Sequence, residues 1–386
     1  MSPMQTEIRF GFDRIEIDPE AVSHPLTERI LERLPDTPRS VSDAEAFGRS
    51  ISRLPLTRGK RVLRLAVGRG SLIKPCPATA EPYLCCRYTV LNAQSQCPMD
   101  CSYCVLQTYL DSACQTVFVN MDDMLEQAVR LLDENPGRLF RIGTGELADS
   151  LALDELTGTA RTFIEFFAAR PNALFELKTK TVRVDGALEA ESRRAVISWS
   201  VNPPSVVASE EHGAAPLERR LEAAARAAAA GFLVGFHFDP ILDFPDCGKA
   251  YSDLADRLFE AVDPSRIAWI SLGSLRYPPS LGDVIRTRFP KSRIGYGEMI
   301  RGLDGKMRYP RPLRIALYRS VMERIRRKSD DVFVYFCMES ADVWERVMGF
   351  APADNADLDF RFAESLHRRF PDMGFPVPER GEYSIV

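Results

Sequence analysis

Between residues 85 and 290 the chain alternates two kinds of hydrophobic pattern. Short runs rich in β-branched and aromatic residues fall at 87–91, 138–142, 173–179, 195–201, 232–238 and 267–272. Between them, apolar residues recur at helical spacing. Leu125, Ala128, Val129 and Leu132 share one face of a helix that Asn120 is placed to cap. Leu156, Phe163 and Phe167 line a second, expected over about 153–169, with Pro171 beyond it. An Ala-rich helix around Arg226 is bracketed by Pro216 and Gly231, and further helices centre on Leu254 and Val284. Strands alternating with helices predict βαβ units and a parallel sheet. Six such strands make an α/β fold with a partial (β/α)6 TIM-like barrel, whose active site lies at the C-terminal strand ends.

The flanks read differently. Residues 1–84 form an N-terminal extension with a helix at 44–54 and a strand at 61–67. Residues 291–386 form a C-terminal region. Within it, 296–309 reads as a hairpin turning at Asp304-Gly305, followed by a basic helix, a strand at 332–337 and a short helix near Trp344.

Composition adds limits. The 386 residues are 45% hydrophobic, enough for a full core, and no apolar stretch reaches the length of a membrane span. The first residues lack the basic-then-apolar pattern of a secretory signal, so a cytoplasmic location without membrane contact is expected. The net charge of −4 hides an asymmetry: residues 286–328 carry fourteen Lys or Arg against three Asp or Glu. Such a stretch suits a phosphate backbone or forms a solvated basic face.

Seven of the nine cysteines lie between Cys76 and Cys114. Clustering in a chain expected to stay reduced points to a metal site, not to disulfides. The densest part is Cys97-Pro-Met-Asp-Cys101-Ser-Tyr-Cys104, in the loop after the first barrel strand. Three thiolates leave two readings open. Cys85, Cys86, Cys114 or a distant ligand completes a zinc site, or a cubane iron–sulfur cluster keeps one iron free for substrate. After the second strand, Gly143-Thr144-Gly145-Glu146 combines glycines that let a ligand approach backbone with a carboxylate able to accept from an ammonium. An ordinary βα turn has the same composition. His237 and Asp239 end the fifth strand, where a structural or a proton-transfer role is open to them.

The C-x3-C-x2-C spacing with Tyr103 before the last cysteine resembles the radical S-adenosylmethionine superfamily. KRVLRLAVGRG, KPCPATAEPY and CPMDCSYCVLQTYL together resemble the spore photoproduct lyase family, over about residues 60–290. The resemblance implies a [4Fe-4S] cluster on Cys97, Cys101 and Cys104, with S-adenosylmethionine on the open iron. Reductive cleavage would then yield a 5′-deoxyadenosyl radical that abstracts hydrogen from a DNA pyrimidine photolesion for C–C cleavage. It implies an electron donor such as flavodoxin or ferredoxin. It also implies that Gly143, Thr144, Gly145 and Glu146 hold the methionine amine, that Lys180 and Ser200 contact the cofactor's carboxylate or ribose, and that Tyr103 lies near the adenine. Two positions depart from the family. Gly143 stands where lesion-repairing members carry a hydrogen-donating cysteine, and Val105 where they carry a second tyrosine. Cys337, ending the run VFVYFC, is the thiol expected to substitute. Arg301, Lys306, Arg308 and Arg311 are the expected nucleic-acid contacts, on a hairpin that would help to flip a lesion. Competing functions are the same chemistry on a small molecule, peptide or RNA, and a non-enzymatic zinc-stabilised binding protein.

Overall fold

The computed structural model describes residues 11–51, 54–77 and 82–384. Its main sheet has eight strands in strictly sequential order: β1 (Ile73–Pro75), β2 (Thr89–Leu91), β3 (Phe140–Gly143), β4 (Ala173–Thr179), β5 (Ala195–Ser200), β6 (Leu233–Ile241), β7 (Ile267–Ser274) and β8 (Phe333–Phe336). β1 runs antiparallel to β2, and every later pair is parallel. Helices Thr159–Ala168, Leu217–Ala229 and Cys247–Ala261 connect successive strands. Sequential order with helical crossovers on one side curls the sheet into a partial TIM barrel.

The six expected strands are all present, and β8 extends the sheet from the C-terminal region, pairing with β7 from Trp269↔Phe333 to Leu272↔Phe336. Outward positions such as Phe175 and Ile197 are fully buried under helices, and Phe167 stacks on Phe175 with ring centroids 4.9 Å apart. Several inward positions are polar, among them Glu176, Lys178, Ser198 and His237, which the alternation of a strand makes possible. The long C-terminal helix Asn355–Arg369, which the hydrophobic pattern does not announce, sends Phe362 against Trp269 and Tyr335 at one end of this interior.

Two local expectations need correction. The helix expected over 153–169 is two helices, Asp154–Thr157 and Thr159–Ala168, because Gly158 adopts a left-handed φ of 62° between them. Asn120 precedes helix Met121–Asp133 without capping it. Its carboxamide instead bonds both the N–H and C=O of Gly68, at 2.7 and 2.9 Å.

A second sheet of five strands places the cysteine loop. Arg39–Val41, Arg14–Ile17, Val62–Ala66 and Gln115–Phe118 pair in parallel, and Gln94–Ser95 pairs antiparallel to Gln115–Phe118. The cysteine segment is therefore an excursion whose two ends are clamped together by the pairs Gln94↔Val117 and Ser95↔Thr116. The N-terminal extension supplies the other three strands of this sheet, which back the clamp.

Candidate active site

The clamped loop lies at the C-terminal ends of the barrel strands. Cys97, Cys101 and Cys104 gather with Tyr103, Met99, Ala152 and Ala214 in one small cluster. Asp100–Cys101 pairs antiparallel with Glu211–His212, which tethers the loop to the segment after β5. Gln107 explains part of the LQT run: its amide donates to the carbonyls of Cys101 (3.1 Å) and Ser102 (3.0 Å), and its oxygen accepts from Arg288. Asp100 bonds Arg288 at 2.7 Å and Lys60 at 3.1 Å.

Cys114 packs apart, with Phe47, Ile51 and Val62. Cys86 lies in the main core beside Arg141, whose guanidinium donates to its carbonyl at 3.2 Å. Neither completes a fourth corner. Among the described residues no three Cys, His, Asp or Glu side chains close around a point as one metal ion requires. Burial pushes the Cys97 thiol up to about 12 and raises those of Cys101 and Cys104, with Lys60 and Lys180 acting the other way. A bound soft metal would draw all three to thiolates. Three soft donors on one short loop, with no fourth thiol in their cluster among the described residues, fit a cluster larger than one ion.

Next to the loop is a charged network that the sequence does not reveal. Glu211, wholly buried, accepts from Tyr103 Oη, from Lys180 Nζ at 3.2 Å, from Asn202 Nδ2 at 2.9 Å and from Arg220. Burial alone would raise its carboxyl, but Lys180 and Arg220 outweigh that and hold it at about 2. Arg220 is itself fully buried and donates to the carbonyls of Ser200 (2.9 Å) and Ala215 (2.7 Å). Lys180 Nζ also reaches Tyr103 Oη at 3.2 Å, so two residues expected at the cofactor share one carboxylate.

The Gly143–Glu146 turn ends β3. A Cβ on Gly145 would lie 2.6 Å from Cβ of Lys178, so only glycine lets this turn lie so close to β4. Thr144 Oγ1 bonds Ser150 Oγ at 2.9 Å, and Glu146 faces Lys178 across 3.7 Å. Burial lowers the Lys178 ammonium, but Glu146 and Glu176 raise it further than burial depresses it. Asp149 fixes the following loop by accepting from the backbone of Leu151, Ala152 and Lys180. Ser200 is buried at the end of β5.

Deeper inside, His237 Nε2 lies 2.8 Å from Glu176 Oε1, which also accepts from Ser198 at 2.6 Å. Burial raises the Glu176 carboxyl, but His237 and Arg141 bring it down to about 2. Asp239 forms a two-point pair with Arg276, both contacts at 3.0 Å. Arg276 also donates to Cys337 Sγ at 3.2 Å. Burial pushes this thiol up to about 12, with Arg276 opposing.

The basic stretch divides. Ile300–Arg301 and Met307–Arg308 form the expected hairpin, with Gly305 at φ 77° in its turn, and Arg276–Tyr277 joins it as a third strand. Arg308 corrects the expectation of a nucleic-acid contact. It is 1% exposed, bonded to Asp304 and to the carbonyl of Met338, and it locks the turn from within. Lys306 is half-buried, 3.7 Å from Met338 Sδ. Arg314 is buried on Glu339, and Arg324 bonds Asp256. Arg301 and Arg311 stay exposed, Arg311 beside Asp342 at 3.1 Å. The hairpin also presents Ile300 and Leu303, the latter 82% exposed.

The family model described as spore photoproduct lyase matches residues 10–312, more than half of the chain. The chain belongs to the spore photoproduct lyase family. It is 28% identical over 296 residues to spore photoproduct lyase of Geobacillus sp. (strain Y412MC61), covering 74% of this chain and 84% of that one. Against spore photoproduct lyase of Bacillus subtilis (strain 168) it is 29% identical over 206 residues, covering 52% and 60%. Among solved structures, spore photoproduct lyase complexed with dinucleoside spore photoproduct superposes with a TM-score of 0.74 at 24% identity, covering 85% of this chain and 99% of that one. A double mutant with bound AdoMet and the same dinucleoside has a TM-score of 0.74, also at 24% identity, covering 84% and 98%. These structures share the fold.

Proposed function

We propose that this chain is a radical S-adenosylmethionine lyase acting on a DNA pyrimidine photolesion of the spore photoproduct type. The observation that carries the reading is the clamped loop of three cysteines at the mouth of a polar barrel interior, in a chain of this family. Cys97, Cys101 and Cys104 would hold the [4Fe-4S] cluster. The turn from Gly143 to Glu146 would hold the cofactor's amino acid end, with Lys180, Ser200 and Tyr103 along its length. When bound, cluster and S-adenosylmethionine supply a one-electron cleavage that removes one hydrogen atom from the substrate. A flavodoxin- or ferredoxin-like donor would deliver the electron.

The chain's own residues do the positioning. Glu211 fixes Tyr103 and Lys180 together, and Asp149 fixes the loop that carries Lys180. The Asp239–Arg276 pair and the Cys337 thiol form a wall on which the substrate would rest. Arg301 and Arg311 would meet phosphates, while Leu303 and Ile300 at the exposed hairpin suit insertion beside an unstacked base. A second reading, the same chemistry on a small molecule, peptide or RNA, is favoured by Gly143 and Val105 at the two departing positions. The deciding experiment is anaerobic incubation with reductant, S-adenosylmethionine and dinucleoside spore photoproduct, with mass analysis. Repaired dinucleoside together with 5′-deoxyadenosine is expected. 5′-Deoxyadenosine formation with the lesion untouched would move the chain to the second reading.

A further inference from the structure

Lesion cleavage by hydrogen abstraction leaves a carbon radical on the product, which must take back one hydrogen atom. Gly143 has no side chain to give one, and the fold leaves no room for one. A Cβ built there would lie 2.0 Å from the Tyr88 hydroxyl oxygen and 2.3 Å from the backbone oxygen of Glu176. The space that a side chain at position 143 would enter is filled by the Tyr88 phenol.

This hydroxyl has no hydrogen-bond partner among the described residues, although Tyr88 is only 7% exposed. A buried phenol normally finds an acceptor, and leaving it without one costs stability. Packing does not explain it, since phenylalanine would fill the same volume without that cost. Gly143 points into the barrel interior two residues beyond Arg141, on the same strand face, so the phenol tip lies among inward-facing groups. The nearby carboxylates of Glu176 and Glu146 join burial in raising the phenol well above its usual range, so it keeps its proton. Cys337, the thiol expected from the sequence to act as donor, has its sulfur turned to Arg276 at 3.2 Å.

We propose that Tyr88 is a catalytic residue, the hydrogen-atom donor that completes the product. The proposal rests on the lesion-cleaving reading above. In the step, the phenol O–H bond breaks homolytically and a C–H bond forms on the product radical, leaving a Tyr88 phenoxyl. The phenoxyl returns to phenol by taking one electron from the external one-electron reductant that also serves the cluster, and one proton from solvent.

The test compares the reconstituted wild-type, Tyr88→Phe and Cys337→Ala proteins. Each is exchanged into D2O and given reductant, S-adenosylmethionine and dinucleoside spore photoproduct. The expected wild-type result is one deuterium in the repaired product and a freeze-trapped radical whose hyperfine pattern collapses when ring-deuterated tyrosine is incorporated. Tyr88→Phe should still form 5′-deoxyadenosine, but repair at least tenfold less and lose the deuterium and the signal. A readout without cofactors accompanies this. Metal-free Tyr88→Phe should melt at or above the wild-type temperature, because the hydroxyl it loses has no partner. A clear fall in melting temperature would make the hydroxyl structural and overturn the proposal. Undiminished, deuterated product from Tyr88→Phe would overturn it and leave the lesion-cleaving reading intact, as would loss of deuterium in Cys337→Ala alone. Wild-type protein that forms 5′-deoxyadenosine without repair would sink the substrate reading itself, and the donor assignment with it.

Discussion

Replacing Glu211 with glutamine tests whether the buried carboxylate organises the cofactor side of the site. The change keeps the shape and removes the charge between Lys180 and Arg220, at 15% and 0% side-chain exposure. The carboxyl is lowered from an ordinary 4.5 to about 2, and that depression corresponds to roughly 3 kcal/mol of folding free energy. A buried ion pair that loses one partner gives a similar figure, about 3–5 kcal/mol, because the remaining cations stay desolvated. The sign follows from the direction of the shift. The folded-state pKa lies below the unfolded one, so the stabilisation is complete above about 4.5 and is lost as pH falls toward 2. Denaturant unfolding of the metal-free protein at pH 7 should place Glu211→Gln about 3 kcal/mol below wild type, and the gap should narrow below pH 4.5. With Tyr103 and Lys180 released, cofactor affinity should fall as well. A gap under 1 kcal/mol at pH 7, or one unchanged down to pH 3, would refute the reasoning.

Cys101→Ala should abolish cluster assembly and cofactor cleavage, read from iron and sulfide content and from 5′-deoxyadenosine. Gly143→Ala should cost about 1–3 kcal/mol or more, read by thermal unfolding, because its methyl meets both the Tyr88 hydroxyl and the backbone of β4. Neutralising Arg301 and Arg311 together should weaken duplex binding and reduce the slope of log affinity against log salt by up to about 2. Neutralising Arg308 should act differently, destabilising the hairpin turn with no direct loss of a phosphate contact.

The barrel was legible because its strands and helices have different periods and Pro or Gly punctuates them. The cysteine loop was legible because chemistry dictates its spacing. What the pattern could not reveal is pairing at a distance. Gln115–Phe118 lies within the barrel's stretch of sequence, yet it pairs with Val62–Ala66 of the N-terminal extension and closes the cysteine loop. Arg308 and Arg314 carry the same charge as Arg301 in the sequence. Only the fold separates them, since Asp304 and Glu339 bury the first two.

Glu211 and Tyr88 were invisible for a related reason. Glu211 sits in a Glu-Glu-His run that reads as solvated loop, and its importance comes from Arg220 and Lys180 arriving from other elements. Tyr88 immediately precedes β2 and reads in the sequence as an ordinary aromatic. Its meaning depends on Gly143, some fifty residues on, being too small to exclude it. The glycine read from the sequence as a missing donor is, in the fold, the condition for a phenol to reach the same point. A substitution that restores a side chain at 143 must therefore displace Tyr88 and shift β4 as well, so the two positions must change together and not singly.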